Sequence, residues 1–159
     1  MTIWNGYTLL VQSIHIIFAS TSGHTEHVVD TLIAAHPEIK ISKQRVELAK
    51  PDDLLKGDVL ILASSTWNTG GPEGQLNPHM HAFVFGRAKD VDLKGKKVAI
   101  IGLGDDRYRY TCRAADHLVN FVSSHGGKVI EPPLRIINEP WDQDDKVIAW
   151  GKSLLSSLS

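Results

Sequence analysis

Three short stretches of the chain carry residue types that can do chemistry together. Residues 20–25 read Ser20-Thr21-Ser22-Gly23-His24-Thr25, four hydroxyls and one glycine just ahead of a helical pattern. Backbone N–H groups at a helix start bind anions, helped by the helix dipole. Hydroxyls add hydrogen bonds, and Gly23 lets the backbone approach a ligand closely. The result is a cup for a terminal phosphate, with no Lys or Arg inside it. The same residues also suit a plain N-capping turn. The second stretch, Ser65-Thr66-Trp67-Asn68, opens a run rich in Gly, Thr and Asn that includes Thr69 and Gly70. Trp67 could cover an aromatic ligand, although an isolated Trp is more often simply packed. The third stretch, residues 102–110, is GLGDDRYRY, with Tyr108 and Tyr110 shortly before Cys112. A flat ring system between Trp67 and Tyr108 would gain from stacking and burial. A phosphate cup with two aromatic walls says more than any of its parts.

These stretches need elements to position them. Residues 13–19 are β-rich and apolar, 58–64 and 96–102 are apolar runs of strand length, and 39–48 hold a weaker strand. A fifth extended segment, 128–137, is broken by Pro132-Pro133. Helical spacing appears at Val28, Val29, Leu32 and Ile33, ended by Pro37. Pro51-Asp52-Asp53 can start a short helix, and Asn77-Pro78 reads as an N-cap with Pro at the first helical position, for a helix to about Gly86. Cys112, Ala115, Leu118, Val119 and Val122 mark another helix, closed by Gly126-Gly127. Val147 to Leu158 mark the last. Strands alternating with helices, several of them continuous apolar runs, predict an α/β three-layer sandwich with a parallel sheet. Residues 13–159 read as a single domain after an N-terminal extension, 1–12. In an open parallel sheet the ligand lies beyond the carboxyl ends of the strands. The loops 20–25, 65–75 and 103–111 therefore converge on one site.

Composition narrows the field. The chain has 159 residues, with Lys+Arg 17 against Asp+Glu 18 and a net charge of −1, so no basic excess points to nucleic acid. No apolar run reaches the ~20 residues of a membrane span. One cysteine rules out an intrachain disulfide or a Cys-based zinc cluster, and fits a reducing, cytoplasmic setting. Gly102-Leu103-Gly104 lacks the third glycine of the dinucleotide fingerprint. There is no Walker A sequence and no Gly-x-Ser-x-Gly elbow. His24 and His27, three apart, have no evident third metal ligand, and His79 and His81 point apart on a helix. His24 is better placed to approach the phosphate. His15 reads as a hydrogen-bonded structural residue, and Cys112 as packed on a helix face.

The three motifs together resemble the flavodoxin family, over about residues 13–158. STSGHT resembles its Ser/Thr-x-Thr-Gly-x-Thr phosphate loop, with Ser22 at a Thr position. SSTWN resembles its Ser-Thr-Trp-Gly loop, and GLGDDRYRYTC its Gly-x-Gly-Asp-x-x-Tyr-x-Tyr-x-Cys loop. The resemblance implies a flavodoxin-like sandwich with a five-stranded parallel sheet of order 2-1-3-4-5. It also implies FMN as cofactor and low-potential electron transfer between redox partner proteins, by a monomer or weak dimer. Residues 20–25 would hold the phosphate, and Trp67 and Tyr108 would flank the isoalloxazine. The backbone of Ser65, Thr66, Asn68, Leu103, Gly104 and Asp105 would meet its polar edge and ribityl chain. Thr69 and Gly70 would belong to the flavin loop, and Tyr110 and Cys112 would line the pocket.

The chain departs from that pattern in three places. Its charge is near neutral where family members are strongly acidic, and Arg107 and Arg109 stand in the flavin loop. Asn68 stands at the usual glycine position, whose carbonyl turns towards reduced flavin N5; Asn takes a positive φ less freely than Gly. Residues 69–74 form a long glycine-rich segment. These features predict weaker stabilisation of the one-electron-reduced flavin, a less negative second potential and a partner with an acidic docking patch. They also leave room for an FMN-dependent NAD(P)H:quinone oxidoreductase, or for a binding module with a lost or altered cofactor, on the same fold.

Overall fold

A computed structural model describes residues 2–4, 7–9, 13–68, 73–109 and 111–158. The sequence-predicted positions Thr69, Gly70 and Tyr110 lie outside the described residues.

The apolar run at 13–19 forms β3 (Ser13–Ala19), the centre from which the sheet is built. It pairs in parallel with β4 (Lys40–Arg45) on one side and β5 (Val59–Trp67) on the other. Next to β5 lies β7 (Lys97–Gly104), again parallel. The fifth position is shared by β8 (Lys128–Val129) and β9 (Leu134–Ile137), both parallel to β7. Pro132 and Pro133 fall in the gap between them, since proline has no N–H for a ladder bond. The order is β4-β3-β5-β7 and then the broken fifth strand, which is the expected 2-1-3-4-5.

One further strand joins that sheet. β6 (Gln75–Leu76) runs antiparallel to the end of β5, pairing Thr66 with Leu76 and Trp67 with Gln75. With the pairing of Ser65 to Leu103 of the neighbouring strand, this carries β5 three residues past the predicted end at 64, so Ser65, Thr66 and Trp67 are strand rather than loop. β7 likewise absorbs Leu103 and Gly104. Within the predicted extension, β1 (Thr2–Trp4) and β2 (Tyr7–Leu9) pair antiparallel as a separate two-stranded sheet.

Helices cover both faces. α1 (His24–Ala35) and α4 (Asp144–Ser156) pack together, and Val28, Leu32, Val147 and Leu154 join Ile16, Phe18, Ile61 and Ala63 in one core. α2 (Pro78–Ala82) and α3 (Arg113–Ser124) lie over the other face, where Met80, Leu118 and Val122 meet Ile17, Leu60, Leu62 and Ile100. The period of two along β5 is explicit: Val59, Ile61 and Ala63 belong to the first core, Leu60 and Leu62 to the second. α2 is capped as predicted, with Asn77 Oδ1 accepting from the His79 amide at 2.9 Å. It is shorter than predicted, giving way to a wide π-type turn over Phe83–Arg87. α3 begins one residue later than the apolar pattern suggested, because Cys112 adopts a left-handed φ of 58° and stands ahead of it.

Two polar groups inside the frame are structural. His15 is buried on β3 and hydrogen-bonds Ser42 Oγ (2.7 Å) and Gln44 Oε1 (3.1 Å), while burial holds its pKa below 6.5. Asp53 accepts from the Lys50 amide (2.8 Å) and Gln44 Nε2 (3.1 Å), and pairs with Lys56 (2.7 Å). The Lys50 amide first, and Lys56 after it, lower its pKa from 3.8 to about 2. A lowered carboxyl stabilises the fold above its unfolded pKa, and that contribution fades as pH falls from 3.8 through about 2. Discounted for solvent screening, the contribution is about 1 kcal/mol. Asp53→Asn should therefore lower urea stability by about 1 kcal/mol near neutral pH and flatten the acid limb. Parallel acid limbs for the two proteins would show that Asp53 carries no such linkage.

Candidate functional site

The carboxyl ends of β3, β5 and β7 open into one cleft of about 1120 Å³. It is lined by Ser20, Thr21, Ser22, His24 and Thr25, by Ser65, Thr66 and Trp67, and by residues 103–108. The three predicted loops thus meet. A fourth segment that sequence reasoning did not nominate joins them, contributing Ile137, Asn138, Glu139, Trp141, Asp142, Gln143 and Lys146. The rule that pointed to the other loops covers it too, since it leaves the carboxyl end of β9. Its aromatic residue, Trp141, was visible in the sequence.

In the first loop, Gly23 stands at the N-terminus of α1 with φ 90°, a left-handed conformation that disfavours any side chain. Ser20 Oγ accepts the Glu26 amide of the first turn at 3.2 Å, while the N-cap position itself is Gly23, with no side-chain cap. Ser20 O accepts from Arg45 Nη1 at 2.9 Å, and Thr21 Oγ1 from Asn77 Nδ2 at 3.0 Å. Thr25 differs: it is 1% exposed and its Oγ1 is buried without a hydrogen-bond partner. A buried hydroxyl left unpaired costs about 1–3 kcal/mol. On a residue lining a cleft, at a helix start, it fits a loop that receives an anion.

In the second loop, Trp67 Nε1 donates to Ser65 Oγ at 3.0 Å, fixing the indole at the mouth of the cleft. The Thr66 hydroxyl donates to Leu103 O (2.7 Å) and accepts the Ala114 amide (3.0 Å), tying β5, β7 and α3 together. Asn68 does not line the cleft. Its Oδ1 accepts the Gly74 amide at 2.7 Å, bracketing the segment between them. The non-glycine residues with positive φ among those described are Cys112 and Asn138, so Asn68 has not taken the turned conformation its position invites.

In the third loop, Thr111 Oγ1 donates to Asp105 O and Tyr108 O, both at 2.9 Å. Tyr108 remains 42% exposed on the cleft. Arg107 grips Asp105 through Nε (2.9 Å) and Nη2 (2.5 Å), and the guanidinium holds the Asp105 carboxyl below its usual range. The fourth segment locks onto this loop: Asn138 Oδ1 accepts the Asp106 amide (3.0 Å), and the Asn138 amide donates to Gly104 O (2.7 Å).

Cys112 is placed differently from the reading that put it on a helix face and in the pocket lining. It precedes α3, is 1% exposed, and is not among the residues lining the cleft. Its thiol donates to Ile136 O at 3.3 Å, and burial pushes its pKa up to about 11. The thiolate is the reactive form, so a disulfide reagent such as DTNB should titrate Cys112 only on unfolding; full reaction of the native protein within minutes would contradict this burial. His24 and His27 pack edge-on against Trp141, with ring centroids 5.1 and 4.8 Å away.

An open parallel sheet whose strand-end loops combine an anion cup with aromatic walls defines a class: α/β proteins that hold a phosphorylated ring cofactor at the switch point. Flavodoxin with its FMN is the standing example of that rule. The family model for flavodoxin matches residues 16–150. A flavodoxin of Maridesulfovibrio salexigens is 30% identical over 146 residues, covering 90% of this chain and 97% of its own. Probable flavodoxin 2 of Bacillus subtilis is 27% identical over 86% of this chain and 90% of its own. Among solved structures, oxidised flavodoxin 1 of Bacillus cereus superposes with a TM-score of 0.81 at 28% identity, covering 92% of this chain and 99% of its own. The chain belongs to the flavodoxin family of FMN-binding electron-transfer proteins.

Proposed function

We propose that the cleft binds FMN and that the protein carries electrons between redox partner proteins in the cytoplasm. Bound FMN supplies the redox chemistry, and the chain supplies binding, orientation and electrostatics. Residues 20–25 hold the phosphate, with Thr25 Oγ1 donating to it. Trp67 and Tyr108 face the ring, and the backbone of residues 65–66 and 103–105 reads its polar edge. Residues 13–159 act as one domain, with 1–12 appended. The buried, unpartnered Thr25 hydroxyl carries this reading, because it is a donor on the anion loop with no partner among the described residues.

No helix among the described residues is long and apolar enough to cross a membrane. Arg107 is paired with Asp105, so the positive field at the rim is smaller than a lone arginine would give. Arg107→Ala should make the reduction potential of the bound flavin more negative, because it removes a cation and leaves Asp105 unpaired. A potential that stays put, or rises, would contradict that electrostatic role.

The carrier reading is tested with purified holoprotein, NADPH and a quinone. Reduction should require an added protein reductase. Sustained NADPH oxidation without one would replace the carrier with an oxidoreductase.

A further inference from the structure

The phosphate loop contains no Lys or Arg, and the cations beside it are engaged. Arg45 donates to Ser20 O (2.9 Å) and to Glu26 (2.8 Å), and Lys43 is held between Glu26 (3.0 Å) and Asp30 (2.8 Å). Arg107 is held by Asp105. Lys146 is different. It lines the same cleft from the first turn of α4, and among the described residues it has no ion-pair partner. That is so although Asp106, Glu139 and Asp142 line the cleft as well.

The segment bearing Lys146 is fixed in place. Trp141 is braced edge-on by His24 and His27, and His27 Nε2 meets Asp144 Oδ1 at 2.9 Å. Gln143 Nε2 donates to Ile137 O (2.7 Å) and Glu139 O (2.8 Å). The other end of that amide, Gln143 Oε1, is buried with no partner, as Thr25 Oγ1 is. Both residues line the cleft. One orphan is a hydroxyl able to donate to a phosphate oxygen. The other is an acceptor only, which a phosphate dianion cannot satisfy and a polyol hydroxyl can.

We propose that residues 141–146 form a second wall at the phosphate end of the site, on which Lys146 is the counter-charge of the terminal phosphate and Gln143 Oε1 accepts from a hydroxyl of the polyol chain. The ligand chemistry is that of a phosphorylated polyol, and the proposal rests on the FMN reading above. The loop thereby gains from α4 the cation its own sequence lacks.

The test is titration of the apoprotein with FMN and with riboflavin, followed by flavin fluorescence at low and high salt. The wild-type protein should prefer FMN, with an affinity that falls as salt rises. Lys146→Gln should weaken FMN binding by about two- to tenfold at low salt, leave riboflavin unchanged and reduce the salt dependence. Lys146→Arg should retain the preference. Equal loss for both flavins, or no loss for either, overturns the role of Lys146 while leaving the FMN site standing. A wild-type protein that binds neither flavin overturns the FMN reading, and this proposal with it.

Discussion

Gly104→Ala should destabilise the protein by about 2–3 kcal/mol and weaken FMN binding by at least about tenfold. A Cβ at Gly104 would overlap the backbone amide nitrogen of Cys112 and lie 3.0 Å from its Cα and 3.1 Å from its Sγ. Those atoms cannot easily yield. Cys112 is held in a left-handed conformation, with its thiol on Ile136 O and its carbonyl accepting from Arg135 at 3.1 Å. The displacement would pass into residues 105–108, which form one wall of the cleft. Urea unfolding reads the first effect and FMN titration the second. A variant within about 0.5 kcal/mol of wild type would mean that the strand end is looser than its packing indicates.

Trp67→Ala should weaken FMN binding by about 30–100-fold, the loss of about 2–3 kcal/mol of aromatic contact. The indole is anchored by its bond to Ser65 Oγ, so the wall is set before the ligand arrives. Trp67→Phe keeps a ring but not the anchor, and should lose far less. Riboflavin should suffer as much as FMN, because Trp67 meets the ring and not the phosphate. Unchanged affinity in Trp67→Ala would move the ring site elsewhere in the cleft.

The parallel sheet was legible because several strands are apolar runs and the helices keep their spacing, whereas its order was implied only by the resemblance of the three loop motifs to flavodoxins. The proline break at 132–133 was legible too, because proline's missing N–H is a local fact. What sequence reasoning missed depends on non-local pairing. Nothing local to Ser65, Thr66 and Trp67 says strand rather than loop; Ser65 pairs with Leu103 of β7, and Thr66 and Trp67 pair with β6 across an intervening segment. Cys112 reads as helical by its spacing, but Gly104 packs against its backbone from another strand and it takes a left-handed turn instead. Trp141 was plain in the sequence. Its place in the cleft follows from α4 packing on α1, a contact between elements more than a hundred residues apart. Asn68 was assigned by its position in a motif, whereas the structure engages its side chain with Gly74.

The most direct test is the visible spectrum of the purified protein, supplemented with FMN where needed, followed through stepwise reduction. An FMN-binding one-electron carrier should show flavin bands shifted by binding, then reduction in two resolved one-electron steps with a long-wavelength band between them. Failure to bind flavin at all, or reduction in a single two-electron step, would contradict the account.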